Sequence, residues 1–201
     1  MLAAFPDAAV SGVAEGWEDR WREFHHGVSI PPLWVGPPWE AAPGGATAVV
    51  IDPGRAFGTG AHASTRLALE LLLGEPPGGL LDVGCGSGVI AIAAAKLGFG
   101  PVHAVDVDEV AVEVTRANAL ANGVEVDVRV ADARGGGLPS APLAVANISL
   151  ELVVAAAVAI DAERLITAGY LAADRPRLSG FAHDRRVERD GWAADVFSRA
   201  R

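Results

Sequence analysis

The sequence contains one cysteine, Cys85, and no long hydrophobic run. One cysteine excludes an intrachain disulfide and a metal site built from several thiolates, and it is typical of proteins in a reducing compartment. The longest apolar stretch, residues 152–160, is too short to cross a bilayer, and residues 1–10 lack the basic start of a signal peptide. We therefore expect a cytoplasmic protein that makes no contact with a membrane.

Basic side chains are also scarce. The 201 residues include 16 Lys and Arg against 25 Asp and Glu, a formal net charge of −9. This balance argues against a nucleic-acid partner, because proteins that neutralise phosphates carry clusters of Lys and Arg. A basic protein or a small molecule is the easier partner. The apolar fraction of 51% is enough for a packed core and excludes general disorder.

The first 45 residues differ in composition from the rest. They hold four of the five tryptophans, and residues 30–39 contain four prolines, which exclude a helix there and favour extended or hairpin structure. Residues 7–24 have the apolar spacing of one amphipathic helix. We predict an extension over residues 1–45, which either packs on the core or offers a partner surface, and one domain over residues 46–201.

From residue 46 onward, strand and helix patterns alternate. Strands are predicted at 48–51, 79–83, 102–106, 124–130, 142–147 and 169–173, and helices at 64–73, 89–97, 109–122 and 150–166. Residues 185–197 predict a hairpin that turns at Asp190 and Gly191. Such alternation is typical of an α/β fold with a doubly wound, mostly parallel sheet.

Polar residues follow the carboxyl ends of the predicted strands, where ligands bind in such sheets. These residues are Asp82 with Gly84, Gly86 and Gly88, then Asp106, Asp132 and Asn147. The stretch Asp82–Gly88 matches the D-x-G-x-G-x-G motif of methyltransferases in full, whereas Gly86–Ala91 also satisfies the G-x-G-x-x-A pattern of dinucleotide folds. The longer match favours a methyltransferase, in which Asp82 either faces the cofactor's ammonium group or organises the loop.

The remaining candidates have distinct expected roles. The Asp106 carboxylate is placed to accept both hydroxyl groups of a ribose, and Asp132 could contact the adenine edge. Asn147 offers an amide that either orients a nitrogen nucleophile or caps the following helix at Ser149. Cys85 is expected to be a small packed residue, and His62 a hydrogen-bonded loop residue. The histidines show no metal-binding spacing, so no metal site is predicted.

Four segments carry a family resemblance. Asp52–Thr65 closely resembles the glycine- and histidine-containing loop of the ribosomal protein L11 methyltransferases. Leu81–Gly88, Ala104–Asp108 and Val145–Ile148 resemble the next three motifs of that family, in order and at similar spacing. The resemblance implies a class I methyltransferase with a seven-stranded sheet, which binds S-adenosylmethionine and methylates amino groups of one basic ribosomal protein. It also implies cofactor contacts from Ser64, Gly84, Asp106 and Asn147, with Phe57 closing over the methionine end.

The resemblance is weaker for substrate recognition. That family has a separate N-terminal recognition domain, whereas residues 1–45 are too few for one, so we expect a truncated recognition region. The acceptor could therefore be another protein or a small metabolite. A nicotinamide-dependent oxidoreductase and a cofactor-binding module without enzymatic activity also stay open. In the favoured hypothesis Asn147 is the catalytic residue, and it positions a neutral amine for in-line methyl transfer.

Overall fold

The computed structural model describes residues 25–52, 58 and 60–200. The strands in this part of the chain are β1 (Val28–Ile30), β2 (Leu33–Gly36), β3 (Thr47–Val50), β4 (Leu80–Val83), β5 (Val102–Asp106), β6 (Asp127–Val130), β7 (Leu143–Asn147), β8 (Arg164–Leu171), β9 (Phe181–Arg189) and β10 (Trp192–Arg199). The helices are α1 (Ala63–Leu72), α2 (Val89–Lys96), α3 (Glu109–Ala121) and α4 (Leu150–Ala156). The helix predicted at residues 7–24 lies outside the described residues. None of the described helices is long and apolar enough to span a membrane.

The main sheet has seven strands in the order β6-β5-β4-β7-β8-β10-β9. The first five of these pair in parallel, and β10 runs antiparallel between β8 and β9. Asp190 and Gly191 have φ values of 51° and 79°, the positive values that a two-residue type I′ hairpin turn requires. The predicted mostly parallel seven-stranded sheet and the predicted hairpin are both confirmed.

Helices cover both faces of this sheet. Buried residues of α1, α2 and α3 form one apolar core with one face of the sheet, and Val153 and Ala156 of α4 join a second core on the other face. Val83 and Val105 are buried in parallel strands that are covered on both sides, so their sequences are almost entirely apolar. This arrangement brings the carboxyl ends of β4, β5 and β7 to one edge.

A small sheet in the order β1-β2-β3 packs against the core of α1 and α2. β1 and β2 form a hairpin, one of the two structures expected for the proline-rich segment, and β2 pairs in parallel with β3. The Trp34 ring packs so closely on Gly27 and Gly36 that a Cβ atom on either glycine would lie 2.3 Å from it. The predicted division at residue 45 falls between β2 and β3, two strands of this one sheet.

One predicted helix was too long. Residues 150–166 were expected to be helical, but α4 ends at Ala156, and β8, which was expected at 169–173, begins at Arg164. Residues 157–163 contain no glycine or proline to mark the helix end, and the apolar residues on either side of Asp161 and Glu163 are compatible with a buried helix and with a buried strand. Leu165 and Ile166 face opposite cores, as in a central strand.

Candidate active site

A cavity of about 1120 Å³ opens at the carboxyl ends of β4, β5 and β7. Six of the predicted site residues line it: Ser64, Gly84, Gly86, Asp106, Asp132 and Asn147. They come from four strand ends and from the start of α1, so the topology of the sheet gathers them. Two other predicted residues, Asp82 and Gly88, lie outside its lining, and Phe57 lies outside the described residues.

The glycine-rich turn after β4 forms the floor of this cavity. Gly84 and Gly86 have φ values of +74° and +55°, which other residues rarely adopt. The Asp106 carboxylate holds the turn, because its Oδ2 accepts a hydrogen bond from Gly86 N at 3.0 Å and its Oδ1 accepts one from Asp108 N at 3.0 Å. A carboxylate has about four acceptor positions, so Asp106 keeps capacity for the hydroxyl groups of a ligand.

Asp82 is buried beneath the glycine-rich turn and connects β4 to α2. It is 1% exposed, and its Oδ2 accepts a hydrogen bond from Ala91 N of α2 at 3.1 Å. Burial raises the pKa of its carboxyl group from 3.8 to about 7. Its Oδ1 has no hydrogen-bond partner among the described residues. Of the two roles expected for Asp82, the geometry favours organisation of the loop.

Gly88 also has a packing role. It is the N-cap residue of α2 with a φ of +82°, and a Cβ atom there would lie 2.7 Å from Thr115 Cγ2. Thr115 in turn donates a hydrogen bond to Gly86 O at 3.0 Å. Gly88 therefore allows α3 to approach the turn closely enough for Thr115 to hold it.

Asn147 at the end of β7 presents an unused acceptor. Its Nδ2 donates a hydrogen bond to Thr65 Oγ1 at 3.1 Å. Its Oδ1 is buried and has no partner in the part of the chain that the structure describes. The N-cap of α4 is Ser149, and the Asn147 side chain bonds to α1 instead of capping α4. A buried acceptor without a partner is costly unless a ligand or water completes it, so Asn147 Oδ1 suits a ligand donor.

His62 caps α1 at the wall of the cavity. Its Nδ1 accepts a hydrogen bond from Ser64 N at 3.3 Å and lies 2.8 Å from Ser64 Oγ. A backbone N–H only donates, so Nδ1 is the acceptor and neutral His62 carries its proton on Nε2. The predicted hydrogen-bonded histidine is confirmed. Ser64 is 4% exposed, with its hydroxyl group bound to the histidine that it follows.

Asp132 and Cys85 differ in their electrostatic state. Arg134 donates to Asp132 Oδ1 through Nε at 2.9 Å and to Oδ2 through Nη2 at 2.8 Å, which lowers the pKa of the carboxyl group to about 2. Burial raises the pKa of the Cys85 thiol to about 12, and Thr115 Oγ1 lies 3.3 Å from its Sγ. Burial and a raised pKa both favour the neutral thiol, in agreement with the small packed residue expected at Cys85.

This geometry agrees with what known proteins show. A family model described as Ribosomal protein L11 methyltransferase (PrmA) matches residues 7–199. The chain belongs to the ribosomal protein L11 methyltransferase family. Proteins named Ribosomal protein L11 methyltransferase from Symbiobacterium thermophilum and Gloeobacter violaceus are 38% and 40% identical over 90% of this chain, and the matches cover 64% and 60% of their own lengths. The chain therefore spans less than two thirds of these curated relatives.

A solved structure supports the family fold. The structure described as ribosomal protein L11 methylase from Lactobacillus delbrueckii subsp. bulgaricus has a TM-score of 0.79 and 27% identity, over 88% of this chain and all of that chain. Membership in the ribosomal protein L11 methyltransferase family favours one of the two sequence interpretations of the glycine motif, the longer D-x-G-x-G-x-G match that includes Asp82.

The cavity of this ribosomal protein L11 methyltransferase family member includes residues that the sequence did not single out: Ile148, Leu152, Gly169 and Trp192. Trp192 is the first residue of β10, and its ring meets His62 edge to face. Gly169 has a φ of +98°, and a Cβ atom there would lie 2.3 Å from Ile148 O. A glycine inside an otherwise apolar strand indicates a close backbone approach. Of these four residues, Gly169 is therefore the one that the sequence pattern could have identified.

Proposed function

We propose that this chain transfers methyl groups from S-adenosylmethionine to amino groups of a basic ribosomal protein. The observation that carries this proposal is the common cavity of the glycine-rich turn, the Asp106 carboxylate and the unpartnered Asn147 Oδ1. The names of the relatives supply the acceptor, ribosomal protein L11. Ribosomal proteins are made in the cytoplasm, and the proposed activity takes place there.

The described residues suit this cofactor. Asp106 has free acceptor positions for two ribose hydroxyl groups, and the turn at Gly84 and Gly86 lets the backbone approach a ligand closely. Asp132, which its pairing with Arg134 keeps ionised, lies next to Ala133 where the adenine edge is expected. Ser64 and Asn147 border the opposite side, toward the methionine end and the acceptor. When bound, S-adenosylmethionine supplies an electrophilic methyl group on a sulfonium sulfur.

Asn147 is the residue that we assign to the acceptor nitrogen. Its Oδ1 accepts a hydrogen bond from an N–H group of the amine, while its Nδ2 is fixed by Thr65. This hydrogen bond sets the direction of the nitrogen lone pair. Reactions of this kind depend strongly on such orientation, because alignment of the reacting groups removes much of the entropic barrier.

The acceptor amine has to be neutral in the cavity, because a protonated ammonium group has no lone pair with which to attack the methyl group. The Asn147 amide has no basic group that could take up a proton from the amine. The apolar side chains of Ile148 and Trp192 line this side of the cavity and disfavour a charged ammonium, so they lower the pKa of a bound amine. Deprotonation to solvent on entry then suffices.

Calorimetric titration with S-adenosylhomocysteine and with NAD tests the cofactor. We expect S-adenosylhomocysteine to bind and NAD not to bind, and we expect Asp106→Ala to weaken binding at least tenfold. Asp108→Ala is the matched control, because Asp108 caps α3 and does not line the cavity. Binding of NAD alone would support the oxidoreductase interpretation and overturn this proposal.

Mass spectrometry after incubation with unmethylated ribosomal protein L11 tests the acceptor. We expect mass increases of 14 Da per methyl group on amino groups, and their loss in Asn147→Ala. A parallel incubation with a metabolite extract covers the alternative. Unmodified L11 beside a methylated metabolite would move the acceptor to small molecules, and cofactor binding without any methylated product would indicate a binding module.

A further inference from the structure

The solvent-facing side of α4 is apolar. Of its exposed residues and those of the following turn, only Glu151 is charged; the others are Leu152, Val154, Ala155 and Val158, which we call the α4 surface. Leu152 and Val154 are each 41% exposed and Val158 is 76% exposed. A surface helix normally turns charged and polar residues to water. Val154, Ala155 and Val158 lie on one side of α4 and its following turn, together with Glu151. Exposed apolar side chains grouped in this way mark interaction sites.

The α4 surface begins at the cavity. Leu152 belongs to both, because its side chain is exposed on α4 and also lines the cavity wall. α4 starts three residues after Asn147, whose free Oδ1 we assign to the acceptor amine. A polypeptide that presents an amino group to Asn147 has to cross the rim of the cavity, and Leu152 places α4 at that cavity.

Charge distinguishes between two possible occupants of this surface. The only charged residue on the exposed arc of α4, as described by the structure, is the acidic Glu151. The neighbouring Arg134 is engaged by Asp132. The whole chain has a net charge of −9, so two copies repel each other, whereas a basic polypeptide is attracted. A basic protein with exposed apolar side chains near its amine fits better than a second copy.

We propose that the α4 surface is a docking surface for the polypeptide acceptor, in which apolar side chains near the target amine contact Val154 and Val158. This inference rests on the proposed methyl transfer to a basic protein. It assigns part of acceptor recognition to the methyltransferase domain itself. Cofactor binding does not depend on it, because Val154 and Val158 lie outside the cavity lining.

Steady-state kinetics with unmethylated L11 tests this docking surface. We expect Val158→Lys, and separately Val154→Lys, to raise KM for L11 at least fivefold with kcat unchanged. The dissociation constant for S-adenosylhomocysteine and the Tm should stay at the wild-type values. Leu120→Lys is the matched control, since Leu120 is an 83% exposed apolar residue on α3, on the other face of the sheet. It introduces the same charge and should leave KM unchanged.

The results separate the possible failures. KM values for L11 within twofold of wild type in both α4 variants would overturn the docking surface while the methyl-transfer proposal stands. Wild-type protein that binds S-adenosylhomocysteine but methylates no L11 would instead remove the proposed acceptor, and the docking surface with it. Sedimentation equilibrium covers the second copy: a wild-type dimer that Val158→Lys dissociates, with KM unchanged, would show a homodimer interface and overturn the proposal.

Discussion

The rings of His62 and Trp192 meet edge to face, with centroids 4.4 Å apart and ring planes at 74°. The contact joins the N-cap of α1 to the first residue of β10, so two segments far apart in the sequence build one wall of the cavity. His62 is in turn fixed by Ser64. The hairpin of β9 and β10 thus lines the candidate active site, in addition to completing the sheet.

Removal of the indole should impair transfer without affecting the cofactor. We expect Trp192→Ala to lower kcat/KM for L11 at least tenfold, which corresponds to about 1.4 kcal/mol of transition-state stabilisation. The reason is that the apolar wall beside Asn147 is lost and water enters. Calorimetry should give a dissociation constant for S-adenosylhomocysteine within threefold of wild type. Trp192→Phe keeps an aromatic edge toward His62 and should retain most of the activity; equal losses in both variants would contradict this explanation.

Thr65 should act through Asn147. Thr65→Val keeps the shape of this buried side chain but removes the hydroxyl group that accepts the hydrogen bond from Asn147 Nδ2. We expect kcat to fall about tenfold, as for the loss of a positioning hydrogen bond of about 1.4 kcal/mol, with KM nearly unchanged. Thr65→Ser restores the acceptor and should recover most of kcat. If Thr65→Ser is as slow as Thr65→Val, the hydrogen bond is not the cause.

Asp82 should make stability depend on pH. Its folded-state pKa is about 7, above the usual 3.8, so the native state holds this proton more tightly than the unfolded chain. The associated stability is complete below about pH 4 and is lost as the pH rises through 7, in total about 4 kcal/mol. Asp82→Asn still accepts from Ala91 N but does not titrate. Urea unfolding of both proteins from pH 5 to pH 8 should show the wild type losing stability relative to the variant, and parallel curves would refute the assignment.

Gly88 and Gly123 separate steric from backbone effects. Gly88→Ala combines a φ of +82° with a Cβ atom 2.7 Å from Thr115 Cγ2, so we expect a loss of about 2–4 kcal/mol in the free energy of unfolding. Gly123→Ala has a φ of +65° with nothing within 4 Å of the added Cβ atom, so it should cost only about 1 kcal/mol. Thermal unfolding of the two variants measures the difference. Equal losses would show that Thr115 moves aside.

Most of the residues that we propose to contact the cofactor could be predicted from the sequence, because the patterns that indicate them are local. Asp82–Gly88 lies within one strand-turn-helix unit, and Asp106 and Asn147 each end a strand whose apolar pattern is clear. Parallel strand order then places these ends at one edge without any knowledge of side-chain packing. The prediction for Asp82 left two roles open, and only its burial and its hydrogen bond to Ala91 N favour one of them.

The part of the cavity that we propose for the acceptor could not be predicted, because it is formed by residues that are far apart in the sequence. The hairpin was predicted, but nothing in residues 185–197 indicates that β10 inserts between β8 and β9 and brings Trp192 to the cavity. The predicted start of β8 was wrong because no glycine or proline separates α4 from Arg164–Ile166, and local periodicity does not separate a buried helix from a buried strand. The alternation of Leu165 and Ile166 between two cores is visible only once the sheet is formed.

Gly169 sets how much room an acceptor has. Because its backbone lies against Ile148 O, the cavity there is bounded by main chain, and no side chain can be trimmed to enlarge it. A substitution at Gly169 would therefore either make the cavity smaller or displace β7 and β8 from their present positions. A larger cavity would therefore have to come from shorter side chains at other lining positions, such as Leu152 and Trp192, while the main chain at Gly169 and Ile148 keeps its place.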